Sequence, residues 1–190
     1  KRKEKIFSPF FYESHLYNLL AAAAVGFALS VPAKNIFIQT RDLKPLPTRG
    51  TLLILASNIK LVDDSYNSNP AALESALRSL ADLHAKRKVA VLGDMLELGE
   101  KEADYHFQAG RQVSSLGWDI LVTIGPLSKK MIEGALSSGM KANQVISFNN
   151  SDEAAAEIES LVQEGDLVLV KGSRKIKTEK IVEKLKSKGP

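Results

Sequence analysis

From Pro70 onward, apolar and polar positions follow two alternating periods. Residues 70–85 place Leu73, Ala76, Leu77, Leu80 and Leu83 at the spacing of one buried helical face. Val89–Leu92 has no polar face, as expected of a parallel strand covered by helices on both sides. The alternation then repeats as helix 102–116, strand Ile120–Ile124, helix 127–138, strand Gln144–Phe148, helix 151–163, strand Leu167–Val170 and helix 177–187. Ser151-Asp152 suits a helix start. Upstream, Thr51–Leu55 and Ile59–Val62 read as strands about a turn at Ser57-Asn58. Strands regularly followed by helices predict an α/β fold: a doubly wound, mostly parallel sheet flanked by helices.

The first fifty residues read differently. A helix over 14–30 ends where Pro32 disfavours helix at Val31, and a short helix follows near Ala33–Thr40. Leu43–Gly50 carries two prolines and a glycine and reads as a linker, which divides the chain into 1–50 and 51–190. The basic run Lys1–Lys5 followed by apolar Leu19–Val31 superficially resembles a signal peptide. Tyr12-Glu13-Ser14-His15 and Asn18 interrupt it, however, and the alanine-rich run is too short and too weakly apolar to span a bilayer. The lack of an initiator Met leads us to expect a piece of a longer chain.

Hydrophobic content of 44% and charged content of 25% are ordinary for a globular protein. The absence of cysteine excludes a disulfide framework, a thiolate metal site and a cysteine nucleophile. His15, His84 and His106 form no HxxxH pair, so a histidine-rich metal site is not expected. The net charge of +4 is misleading, because Lys171–Pro190 alone holds eight Lys/Arg against two Glu. That run is a cationic final helix without interleaved aromatics, which argues against a nucleic-acid partner.

The strand ends carry the chemistry, because ligands of open α/β sheets bind along the carboxyl edge. Val62–Pro70 runs from a strand through two carboxylates into Asn69-Pro70, a helix cap followed by proline at the first helical position. Asp63 and Asp64 point to opposite faces and do not make an acid/base dyad; one carboxylate at the edge suits paired hydroxyls such as a ribose. Gly125 and Asn149-Asn150 read as turns and caps. Asp94 with Glu97 leaves two readings open, a metal or amine site and a helix cap. His106 reads as a packing or hydrogen-bonding residue. No GxxxxGK[ST] loop, GxGxxG or nucleophilic triad occurs, so no catalytic residue is assigned.

Val62–Pro70 resembles the DDSYNANP motif that opens the C-terminal domain of MurF-type Mur ligases (UDP-N-acetylmuramoyl-tripeptide:D-alanyl-D-alanine ligases). The resemblance continues through Val91–Gly99, His106 with Gly110, and Leu169-Val170-Lys171-Gly172-Ser173-Arg174 with Glu179. Upstream, Asn18–Ala23 is similar to the family's HNxxNALAA helix and Pro47-Thr48-Arg49 to its PGR. Thr48 replaces the glycine of that motif, Ser14-His15 replaces its His-Asn, and residues 1–13 carry no likeness.

The resemblance implies that 1–50 is the end of a central ATPase domain and linker, and 51–190 the C-terminal domain. It implies ATP-driven formation of an acyl phosphate on UDP-MurNAc-tripeptide, followed by attack of the D-Ala-D-Ala amine. By similarity Asp64 binds the ribose, Arg49 contacts the nucleotide, Asn18 lies near the adenine, and Tyr66 and Asn67 line the pocket. Lys171, Ser173 and Arg174 would meet anionic groups, aided by N–H groups of a helix start, and Asp94 the amine of the dipeptide. Further expectations are Mg²⁺ held mostly outside this chain, a cytoplasmic monomer needing the rest of its polypeptide, and no activity from this piece alone. Two alternatives are another amide ligase of the superfamily, of folylpolyglutamate or tripeptide-forming type, and a stand-alone nucleotide- or peptide-binding module.

Overall fold

The computed structural model describes residues 8, 10 and 12–187; the basic run Lys1–Lys5 and Lys188 lie outside them. Two helices come first, α1 (Glu13–Ala28) and α2 (Ala33–Arg41). The end of α1 differs from expectation. Ser30 takes a left-handed φ of 62°, and the Val31 N–H returns to the Gly26 carbonyl, so a left-handed cap closes the helix before Pro32 acts.

The rest is a single six-stranded sheet with strand order β1-β2-β6-β3-β4-β5. Its strands are β1 (Thr51–Ile54), β2 (Lys60–Asp64), β3 (Arg87–Gly93), β4 (Ile120–Ile124), β5 (Val145–Phe148) and β6 (Asp166–Lys171). β1 pairs antiparallel with β2 across a turn where Ser57 and Asn58 both take positive φ, and β2, β6, β3, β4 and β5 run parallel.

The helices are α3 (Pro70–Ala81), α4 (Glu102–Ser115), α5 (Lys129–Ser137), α6 (Ser151–Leu161) and α7 (Glu179–Lys186). Alternate strand residues face opposite cores. Val62, Ala90, Leu92, Leu167 and Leu169 pack under α3, α4 and α5, while Leu61, Val89, Val91, Val168 and Val170 pack under α6 and α7. This is the doubly wound sheet expected from the uninterrupted apolar strands. The α6 cap is Asn150, within the Asn149-Asn150 pair read as turns and caps, with its side-chain oxygen accepting from the N–H groups of Asp152 and Glu153.

α4 and α5 cross closely. A Cβ on Gly110 would lie 1.8 Å from the Met131 carbonyl oxygen, and one on Gly134 2.0 Å from that of Phe107. At the amino end of the sheet, Arg87 forks onto buried Asp166 at 2.7 and 3.1 Å and ties β3 to β6.

Candidate functional site

β6 inserts between β2 and β3, and this decides where a ligand can enter. β2 feeds α3 on one face, whereas β6 feeds α7 on the other. Their diverging connections open a crevice at the carboxyl ends of β2 and β6, the switch point where open α/β sheets bind ligands. Asp64 and Lys171 are register partners there.

Both side chains are buried. Lys171 Nζ donates to Asp64 Oδ2 at 2.6 Å and to the Asn67 carbonyl at 3.0 Å. Asp63 faces the opposite core and takes local partners, accepting from the Ser65 N–H and hydroxyl at 3.2 and 2.6 Å. The two carboxylates therefore do not act together. Burial raises the Asp64 pKa above the usual carboxylate range even though the Lys171 ammonium opposes the shift.

The linker closes over this edge. The Gly50 N–H donates to the Asp63 carbonyl and the Tyr66 N–H to the Thr48 carbonyl, so residues 48–50 lie against the loop that follows β2. Thr48 takes a φ of 63°, a conformation costly for a β-branched residue, where the resembled motif has glycine. Gly50 faces the ring of Tyr12, and a Cβ there would approach it to 2.7 Å. The Arg49 guanidinium lies 3.8 Å above the Tyr66 ring.

These contacts enclose a polar cavity of about 190 Å³ lined by Tyr12, His15, Asn18, Arg49, Asp64, Asn67 and Lys171, among others. Beside it is a mostly apolar cleft of about 350 Å³, walled by Phe10, Leu19, Ala22, Leu43, Pro45 and Leu46. His15, Asn18 and Arg49 border both. The pair of spaces suits a ligand with one flat apolar end and one hydroxyl-rich end.

Four residues expected at a nucleotide, Asn18, Arg49, Asp64 and Asn67, thus share one cavity, and Tyr66 adjoins through Arg49. Lys171 joins this group. Ser173 is buried beside it, its hydroxyl accepting from the Leu96 N–H at 2.9 Å and donating to the Ser68 carbonyl at 3.4 Å. Arg174 lies apart, exposed and paired with Glu179 at 3.1 Å. The helix start expected behind it is instead a single 3₁₀ turn, Arg174–Ile176, and α7 begins only at Glu179.

Asp94 is buried, and its Oδ1 accepts from the Ser128 N–H at 2.6 Å, holding the loop before α5. It caps no helix of its own, and Glu97 takes a φ of 65°. His106 is fully buried. Its Nε2 accepts from the Met95 N–H at 2.9 Å and its Nδ1 lies 2.6 Å from the Glu102 carbonyl, which assigns the proton to Nδ1. Among the described residues no group of three or more His, Asp or Glu is arranged to hold a metal ion.

Sequence reasoning missed Tyr12 and did not assign His15. The Tyr12 hydroxyl is buried close to Asp64, and burial, then the charge and hydrogen-bonding capacity of Asp64, pushes its pKa well above the usual phenol range. Burial lowers the His15 pKa; Lys171 and Arg49 act in the same direction and Asp64 opposes them. The only sequence signal was Ser14-His15 in place of His-Asn, because contacts to Gly50 and Asp64 leave no local pattern.

The chain and its fold are similar to known proteins. The UDP-N-acetylmuramoyl-tripeptide–D-alanyl-D-alanine ligase of Buchnera aphidicola (from Acyrthosiphon pisum) is 34% identical over 96% of this chain and 39% of its own length. That match extends into the first thirteen residues, where no likeness was expected. The ligase of the same name from Bacillus subtilis is 30% identical over 94% of this chain and 39% of its own length. A crystal structure of MurF from Acinetobacter baumannii superposes with a TM-score of 0.84 at 28% identity, covering 96% of this chain and 40% of that one. The chain thus spans about 39% of the length of the curated relatives it matches. Residues 49–174, well over half of the sequence, match the family model described as the Mur ligase, glutamate ligase domain, and the chain belongs to the Mur ligase family.

Proposed function

We propose that this chain is the C-terminal part of an ATP-dependent peptidoglycan-precursor ligase that joins D-Ala-D-Ala to UDP-MurNAc-tripeptide. A tripeptide carboxylate oxygen attacks the γ-phosphorus of ATP, ADP leaves, and the resulting acyl phosphate is attacked by the dipeptide amine with release of phosphate. Residues 1–50 are the end of the central ATPase domain and the linker, and 51–190 the C-terminal domain. The exposed apolar side chains of Tyr17, Leu20, Val25 and Leu29 on and just beyond α1 support this division, since that much uncovered apolar surface suits further protein. Among the described residues no helix is long and apolar enough to cross a membrane. A cytoplasmic monomer acting on nucleotide-linked substrates fits the reading.

The observation that carries it is the shared cavity of Asn18, Arg49, Asp64 and Asn67, drawn from both sides of the linker. Asp64 accepts from the ribose hydroxyls, Asn18 reaches the base in the apolar cleft, and Arg49, braced on Tyr66, meets the phosphates. Arg174 binds the dipeptide carboxylate bidentately, with Ser173 shaping its loop. Asp94, expected at the dipeptide amine, acts from its buried position by holding the loop before α5 through the Ser128 N–H. Among the described residues no group of three or more His, Asp or Glu is arranged to hold Mg²⁺, so in this reading its ligands come from the rest of the polypeptide.

The test is a phosphate-release assay on the longer gene product with UDP-MurNAc-tripeptide, with and without D-Ala-D-Ala. Release that depends on the dipeptide supports the reading, and dependence on glutamate or another amino acid instead would redirect it to a sister ligase. The 190-residue chain alone is expected to show no turnover.

A further inference from the structure

Lys171 lies in a basic stretch, Lys171-Gly172-Ser173-Arg174, whose charges invite assignment to a substrate anion. Its geometry points elsewhere. The side chain is 3% exposed, and two of its three donors are already directed at Asp64 Oδ2 and the Asn67 carbonyl. An anion at Lys171 would find one remaining donor on an ammonium whose charge a buried carboxylate already balances, which makes a weak anion site. Arg174, three residues on, is the exposed cation of this stretch and turns toward Glu179.

We propose that Lys171 is a positioning residue for the nucleotide: its ammonium fixes Asp64 and the Asn67 carbonyl so that Asp64 Oδ1 faces paired ribose hydroxyls. This rests on the reading of Asp64 as the ribose ligand. Asp64 stands at the end of β2, and register pairing with β6 brings Lys171 beside it on the same face. With Oδ2 held by Lys171, the carboxylate borders the polar cavity, where the Tyr12 hydroxyl is its near neighbour. The bond to Asn67 also fixes the loop that leads to the Asn69 cap of α3. Two residues further on, Ser173 ties the same segment to Ser68 and Leu96. The strap from 171 to 174 therefore joins the nucleotide cavity to the Arg174 side of the edge, and Lys171 belongs to the nucleotide end.

The test titrates adenosine and 2′,3′-dideoxyadenosine into the chain and follows amide shifts by NMR. Wild type should prefer adenosine by about tenfold, the scale of a charge-assisted hydrogen bond. K171M should reduce that preference to about twofold or less while leaving dideoxyadenosine affinity unchanged, a split that general loosening of the fold would not produce. K171Q, which keeps a donor without the charge, should fall between them and serves if K171M does not fold. A variant that keeps the wild-type preference, or loses affinity for both nucleosides equally, overturns the proposal. A wild type that binds both nucleosides alike overturns the ribose reading itself, and this proposal with it.

Discussion

Asp64 and Lys171, 107 residues apart in sequence, form a buried ion pair of 2.6 Å at the carboxyl ends of two neighbouring parallel strands. The desolvation of Asp64 outweighs the attraction of Lys171, since its pKa is raised. The pair is therefore better understood as a way to fix geometry than as a source of stability.

A double-mutant cycle follows from this pair. D64A or K171M alone should destabilise the fold by about 3–5 kcal/mol, because each leaves a buried group without its partner. The double variant should lose far less than the sum of the singles. Urea midpoints at neutral pH measure this, and strictly additive losses would show that the two groups are not coupled.

His15 predicts a pH dependence. Its folded pKa lies below its ordinary 6.5, so on acidification the unfolded chain takes up the proton first. Stability contributed at this position is thus full above 6.5 and falls as pH drops from 6.5 through the folded value. Asp64 has the opposite sign: its raised pKa means stability falls as pH rises from 3.8 through the folded value. Comparing wild type with H15N isolates the histidine. The gap in urea midpoint between them should change from pH 7.5 to about pH 5, and a constant gap would count against this reading.

His106 anchors the loop after β3. H106A removes the acceptor of the Met95 N–H, which is buried, and the donor to the part-buried Glu102 carbonyl, at an expected cost of about 2–4 kcal/mol. Hydrogen exchange at the Met95 amide should accelerate along with the lost stability. If that amide stays as protected as its strand neighbours, another acceptor has replaced the imidazole.

Thr48 is strained in the native state by its φ of 63°. T48G should stabilise the chain by about 0.5–1 kcal/mol, the relief of a left-handed backbone less the added freedom of glycine when unfolded. Thermal unfolding tests this, and a lower midpoint for T48G would mean that the Thr48 hydroxyl, 2.5 Å from the Pro47 carbonyl, matters more than the strain.

Much of the architecture was legible because its causes are local. Val89–Leu92 and Leu167–Val170 are apolar on both faces and read as buried parallel strands. Asn69 caps α3 through the Ala72 N–H at 2.9 Å, three residues away, and Pro70 follows it as the spacing predicts. The opposite orientation of Asp63 and Asp64 follows from the twofold period of any strand. Boundaries moved by a few residues, as at α3, which stops at Ala81 instead of 85, and α7, which starts at Glu179.

Other features were settled only by the tertiary fold. Nothing near Lys171 says that it faces Asp64, nothing near Asp94 that it holds Ser128, and nothing near Tyr12 that its ring lies on Gly50. The first depends on β6 lying beside β2, the second on β4 lying beside β3, and the third on how the linker meets the segment before α1. Strand identity is written in the burial pattern of five or six neighbouring residues. Strand order is chosen by how all six strands and their helices bury apolar surface together, a sum that no single segment contains.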